Sequence, residues 1–309
     1  MGSPYGLTQL IKIDISRGLD LSRIFMLVMV CMLLMLRASS VFSQGESTNA
    51  TEVKKASPLS KASAQVNRCE QSYVDKKFVI ARFVCERLAR KKDSLSQLYM
   101  GMMYFYGQGG KRNYRKGKRM LESSARKGND RAQLLLGVFR LQGLGMRRSL
   151  SKSIYWLKKS SYANNSTAQY LLGFVYFTKL RPRTLSQRKK NIKTALYWYE
   201  RSSRQGNIKA QVLLGNLYWH GWSVKKDYSK AILFLRKAAR QNQPEAQFLL
   251  GLSYEYGKGV KRDMDSAIYW YRRSSKQGSK PARNKLSDIY RGLHYKKDIS
   301  SIGKSTVKP

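Results

Sequence analysis

Histidine and acidic residues are scarce in this sequence. His220 and His294 are its 2 histidines, and 18 Asp and Glu are spread over 309 residues. With Cys31, Cys69 and Cys85 as the 3 cysteines, nearby ligands are too few for a metal site. No phosphate-cradling glycine loop, zinc spacing or pair of carboxylates is present. His220 adjoins Trp219 and has no acid–base partner beside it. General acid–base chemistry demands a positioned, partnered group, so His220 reads as a structural or groove-lining side chain. Neither an enzyme nor a cofactor-binding protein is expected.

What the chain has in excess is positive charge. Its 60 Lys and Arg leave a formal charge of +42. Such a chain is attracted to nucleic acid, acidic lipid headgroups, envelope polysaccharide or an acidic protein. The competing explanation is compositional bias that coats a solvated surface. Apolar residues make up 42 per cent and aromatics 11 per cent, enough to build a core.

Residues 24–36, "IFMLVMVCMLLML", form an uncharged apolar run that follows Lys12, Arg17 and Arg23. At about 1.5 Å per helical residue the run falls short of a bilayer core. Val41 and Ser43 suit the −3 and −1 positions of a signal-peptidase site. Residues 1–43 therefore read as a secretory signal, giving a periplasmic or secreted product. The alternative is an uncleaved anchor in the inner membrane through residues 24–36, the one route by which the chain would contact a membrane. Cys31 lies within that run. An exported chain can form disulfides, so Cys69 and Cys85 make either one bridge between neighbouring helices or two buried thiols. Residues 44–66 and 296–309 are rich in Ser, Thr, Ala and Lys and read as a flexible linker and a disordered basic tail.

The rest of the chain repeats. The phrase L-G-x-x-Y is anchored at Gly101, Gly137, Gly173, Gly215 and Gly251, in steps of 36, 36, 42 and 36 residues. The long step holds six extra residues around "LRPRTLSQRKKN", between the halves of the third unit. A fixed period of this length marks a solenoid. The first half of each unit has apolar residues at i, i+3, i+4 and i+7, the helical period. A glycine-bearing turn follows, then a second helix. That helix ends at Gly128, Asn165, Gly206, Asn242 and Gly278, residue types that tolerate a left-handed cap. Ser149–Lys152 matches S-x-x-K, but it occupies the turn and the start of the second helix and reads as a worn repeat.

Residues 246–278, "AQFLLGLSYEYGKGVKRDMDSAIYWYRRSSKQG", resemble the Sel-one-like repeat, a relative of the tetratricopeptide repeat. The resemblance spans roughly residues 69–295. It implies an all-α, right-handed solenoid of tandem helix–turn–helix units: five repeats plus a partial sixth over residues 94–295. Residues 67–93 look like the extra helix pair that precedes such arrays in exported members. A Cys69–Cys85 disulfide would staple that cap. Unit two has "GLGMRRSLSKS" in place of the usual turn, and unit three lacks the turn glycines.

The resemblance implies a non-enzymatic adaptor that binds partner proteins, and two surfaces are candidates. By analogy with tetratricopeptide arrays, positions around each anchoring glycine face a concave groove. These are Met102 and Phe105, then Leu141, then Tyr170, Phe174 and Phe177, then Asn216 and Trp219, then Phe248 and Glu255. An aromatic groove of this kind suits a partner peptide. The second surface is basic. Dibasic pairs occupy the turns at Lys111–Arg112, Arg147–Arg148, Lys225–Lys226 and Lys261–Arg262, and Arg188, Lys189 and Lys190 lie in the insertion. The second helices add Lys159, Arg201, Lys237, Arg240 and Arg273. The basic surface would attract an acidic protein. Alternatively it would bind lipopolysaccharide or nucleic acid in a salt-dependent way.

Overall fold

The computed structural model describes residues 58–180 and 182–302. The expected signal over residues 1–43, and most of the expected linker, lie outside the described residues. The described residues form thirteen α-helices and no strand. Helices α1 (Pro58–Val74) and α2 (Phe78–Arg90) form the N-terminal pair. Five helix pairs follow: α3 (Ser94–Tyr106) with α4 (Tyr114–Arg126), α5 (Asp130–Gln142) with α6 (Leu150–Tyr162), α7 (Ser166–Phe174) with α8 (Leu185–Arg204), α9 (Ile208–His220) with α10 (Tyr228–Arg240), and α11 (Pro244–Tyr256) with α12 (Met264–Lys276). Helix α13 (Lys280–Ile302) ends the array. Two boundaries differ from expectation. Helix α1 starts at Pro58, inside the stretch read as linker, and α13 runs to Ile302, past the expected start of the tail. Once one end of a helix is packed, each further residue adds a backbone hydrogen bond at little cost. Short polar residues can therefore extend a helix that their composition would not start.

Capping explains why the helices begin where they do. Asp93, Asn129, Asn165 and Asn207 each accept a hydrogen bond from the backbone N–H three residues on, at the starts of α3, α5, α7 and α9. The second helices use Asn113, Ser149, Thr184, Asp227 and Asp263 in the same way. Such caps contribute about 1 kcal/mol each. Ser149 of the S-x-x-K match is thus a cap: its hydroxyl accepts from the Lys152 N–H at 3.4 Å.

The repeated glycine sets the distance between the two helices of a unit. A methyl group at Gly101, Gly137 or Gly215 would lie 2.5–2.7 Å from Leu121, Leu157 or Leu235. At Gly173 and Gly251 it would meet the rings of Tyr199 and Tyr271 at 2.8 and 2.4 Å. The left-handed residue between units is Gly128, Asn164, Gly206, Asn242 or Gly278. This corrects one expectation: Asn165 has φ −71° and caps the next helix, while its neighbour Asn164 turns the chain at φ 61°.

Successive units are tied by a buried glutamine four residues before each anchoring glycine. Gln97, Gln133, Gln169, Gln211 and Gln247 each donate to the carbonyl eight residues back, at 3.0–3.2 Å. That carbonyl belongs to the last turn of the preceding helix and also accepts from the backbone N–H three residues on, so the glutamine fills its second acceptor position. In units three to five a second glutamine completes the bridge. Gln205, Gln241 and Gln277 donate to the side-chain oxygens of Gln169, Gln211 and Gln247 at 2.7–2.8 Å.

The third unit departs from the rest. Helix α7 ends without a left-handed glycine and runs into a π-turn, Val175–Lys179. Helix α8 has 20 residues where its counterparts have 13. The six-residue insertion is spent largely on helix and not on loop.

Candidate functional site

The basic turns share one geometry. In units one, two, four and five the first helix ends on a left-handed glycine: Gly107, Gly143, Gly221 or Gly257. The chain then closes with a backbone bond onto the first helix, from Asn113 to Tyr104, Ser149 to Arg140, Asp227 to Tyr218 and Asp263 to Tyr254, at 2.8–3.0 Å. The second basic residue of each pair (Arg112, Arg148, Lys226, Arg262) sits over that glycine: a methyl there would meet its Cβ at 3.1–3.5 Å. All eight members, Lys111 and Arg112, Arg147 and Arg148, Lys225 and Lys226, Lys261 and Arg262, are exposed. None belongs to an ion pair among the described residues. Arg188, Lys189 and Lys190 are exposed on the lengthened start of α8. Exposed cations repeated from unit to unit add into a common field.

The second-helix ridge divides into two kinds of residue. Lys237 and Arg240 are exposed, and Lys159 lies over Tyr155 at 5.0 Å. Arg201 and Arg273 are half-buried and already engaged. Arg201 donates to Tyr197 Oη at 3.1 Å and to Asn164 Oδ1 at 3.2 Å. Arg273 donates to Tyr269 Oη at 3.0 Å and to Asn242 Oδ1 at 2.7 Å. These two arginines clamp the left-handed asparagine of the preceding unit. Where that residue is Gly128 or Gly206 there is no acceptor, and the ridge residue is Lys159 or Lys237. The pairing of Asn with Arg and of Gly with Lys was readable in the sequence, as was the glutamine that recurs before each glycine.

The expected groove residues separate as well. Met102, Phe105 and Trp219 are core, at 6, 1 and 7 per cent exposure. Phe105 packs on Phe139 of the next unit at 4.4 Å between ring centres. It also fills space that a side chain at Gly145 would need. Trp219 meets Tyr228 edge-on at 5.0 Å, and Lys258 of the next turn approaches its ring at 5.6 Å. In these units the next repeat's turn covers the position that the tetratricopeptide analogy leaves open. Leu141, Tyr170, Phe174, Phe177 and Phe248 are half-buried. Tyr170, Phe174 and Phe177 gather against the core between units three and four. Asn216 donates to Glu245 at 2.6 Å. Glu255 accepts from Lys285 at 2.9 Å and from Tyr271. Burial raises the Glu255 carboxyl, but the bonds from Tyr271, Lys285 and Tyr256 outweigh it and hold the group below its ordinary value.

Cys69 and Cys85 are joined by a disulfide between α1 and α2, with Cα atoms 5.1 Å apart, and both are fully buried. His220 stacks on Trp222 at 4.2 Å, and burial and Lys226 lower its pKa. No group of acidic, Cys or His residues that could hold a metal occurs among the described residues. No described helix is long and apolar enough to cross a membrane.

Helix pairs stacked on glycine contacts, with one turn geometry shared by four of the five units, define an α-solenoid repeat protein. Residues 94–129, 130–165, 166–207, 208–243 and 244–279 each match the Sel1 repeat. The chain belongs to the Sel1 repeat family, whose members generally mediate protein–protein interaction. Among solved structures it is similar to a Sel1 repeat protein from Oxalobacter formigenes, with 28% identity and TM-score 0.60, covering 73% of this chain and 88% of that one. It is also similar to c5321, a protective antigen of uropathogenic Escherichia coli with an SLR fold, with 27% identity and TM-score 0.44, over 76% of this chain and 59% of that one. A sel1 repeat protein from Klebsiella pneumoniae matches at 17% identity and TM-score 0.40, over 67% and 97%. No curated protein matches the chain.

Proposed function

We propose that this chain is a non-enzymatic scaffold that holds an acidic protein segment along its basic turn edge. One observation carries the reading: eight turn cations, in four units, are exposed in one shared geometry and are free of ion pairs among the described residues. An acidic segment laid across successive turns would meet these cations at regular intervals, and their field would speed its approach. The half-buried rings of Tyr170, Phe174 and Phe177 offer an apolar anchor. The reading includes export. The Cys69–Cys85 bridge suits an oxidising compartment, and the apolar run at residues 24–36 suits a signal. The uniform sign of the turn residues also supports a second reading, sequence-independent binding of an anionic polymer.

The test is capture from the source cell's extract on the immobilised full chain, washed at low and high salt. The wild type is compared with a variant carrying Lys225→Gln, Lys226→Gln, Lys261→Gln and Arg262→Gln, and with Phe174→Ala/Phe177→Ala. A discrete acidic protein retained by the wild type, weakened by the first variant and stripped from the second by high salt is the expected result. Retention of nucleic acid or polysaccharide alone, released by salt, overturns the scaffold in favour of the polymer.

A further inference from the structure

The N-terminal pair carries a surface unlike any other among the described residues. On the outer helices of the repeats, large apolar side chains are exposed singly, as at Tyr155, Tyr197, Leu233 and Tyr269. At the turn between α1 and α2 four of them cluster: Val74 is 50 per cent exposed, Val79 73, Ile80 48 and Phe83 83 per cent. Val79 and Phe83 are four residues apart on α2, and Ile80 is three from Phe83, so the three share one helix face. Arg87 and Arg90 continue that face one and two turns on and are exposed. Lys76 and Lys77 flank it at the turn, and Lys91 and Lys92 follow the helix, all exposed. The nearby acids are Asp75, paired with Lys77 at 3.7 Å, and Glu86, paired with Arg90 at 3.0 Å. The patch is therefore apolar at its centre and strongly cationic around it.

We propose that this face docks on an anionic lipid surface, with Val79, Ile80 and Phe83 entering the headgroup boundary and the surrounding Lys and Arg meeting lipid phosphates. An apolar helix stripe with a cationic border is what an interfacial helix presents to a bilayer. Charge decides against a second copy of the chain. A two-fold interface would set this patch against itself, bringing like charges together. The location favours a surface over a protein ligand. The side chains project from the first two turns of α2, beside the helix–helix turn, whereas ligand pockets are concave. The interior of α2 does not need this face: Ala81, Cys85, Leu88 and Ala89 supply its buried side.

Sedimentation of the full chain with vesicles tests the proposal. The wild type should bind vesicles containing phosphatidylglycerol and bind phosphatidylcholine vesicles weakly. Val79→Ser/Ile80→Ser/Phe83→Ser should keep the helical circular-dichroism signal, because the replaced side chains are exposed. It should lose at least about tenfold in affinity for the anionic vesicles. Equal binding by wild type and variant would mean that overall charge or the apolar run at residues 24–36 holds the lipid, and it overturns the proposal. So does the absence of binding to either vesicle. A dimer in analytical ultracentrifugation that the triple substitution abolishes would assign the face to a second copy and overturn it too.

Discussion

Units three and five meet the same packing problem with the same residue and differ in the fate of one atom. In both, a tyrosine replaces leucine against the anchoring glycine: Tyr199 on Gly173 and Tyr271 on Gly251. Both side chains are fully buried. In unit five the Tyr271 hydroxyl donates to Glu255, which also holds Lys285 of α13. In unit three the residue at the position of Glu255 is Phe177, and the Tyr199 hydroxyl has no hydrogen-bond partner among the described residues. A repeat fold evidently fixes shape before polarity: the ring is required to fill the gap, and its oxygen is satisfied only where a neighbour permits. An unsatisfied buried hydroxyl costs about 1–3 kcal/mol, so unit three is the weaker of the two at this contact.

The largest break in this comparison comes from removing the glycine that both units need. Gly251→Ala places a methyl 2.4 Å from the Tyr271 ring, and Gly173→Ala places one 2.8 Å from Tyr199. Overpacking of this kind costs about 1–3 kcal/mol, and Gly251→Ala should reach the upper end. The readout is the urea midpoint followed by circular dichroism, since a repeat array need not unfold in one step. A midpoint unchanged in both variants would show that the helices can separate, contrary to the close approach described.

Removing the hydroxyls separates the two units. Tyr271→Phe should cost about 1.5–3 kcal/mol, the range for hydrogen bonds to charged groups. Tyr199→Phe should be neutral or stabilising. Equal losses would show that Tyr199 has a partner after all. The same network predicts a pH dependence. The Glu255 carboxyl lies below its ordinary value in the folded chain because the bonds from Tyr271, Lys285 and Tyr256 outweigh its burial. A carboxylate whose pKa falls on folding stabilises the fold above its unfolded pKa. That contribution is lost as the pH drops through the folded value. Stability should therefore fall on acidification through the carboxylate range, and less so in Glu255→Gln.

Much of this was legible in the sequence, and the parts that were not have physical causes. The period and the glycine contact were visible because only glycine allows that helix approach, so its spacing survives every other change. The left-handed position after α6 was misplaced by one residue. Asn164 and Asn165 are identical, and asparagine suits both the left-handed turn and the N-cap that follows it. What covers the expected groove positions was not legible. Periodicity assigns a residue to a helix face but not to what covers that face, and the next turn covers Phe105 and Trp219. The sequence placed the insertion between the halves of unit three but did not show its conformation, and most of it extends α8.

The smallest predicted effect is a gain, and it carries the comparison to unit two. The buried glutamine bridge is complete in units three to five and incomplete before them: the side-chain oxygens of Gln97 and Gln133 have no partner among the described residues. The residue that would donate is Lys127 in unit one, which bonds the Lys92 carbonyl instead, and Ala163 in unit two. Ala163 has φ −77° and ψ 18°, close to Gln205 at −84° and 13° and to Gln241 at −89° and 23°. The backbone of unit two therefore already holds the shape from which a glutamine reaches across. Ala163→Gln should add about 0.5–1.5 kcal/mol, read as a higher urea midpoint. The gain should vanish in a Gln133→Leu background, where no acceptor remains. A gain of equal size in that background would trace to the surface residue itself, and no gain in either would mean that the Gln133 oxygen is already satisfied.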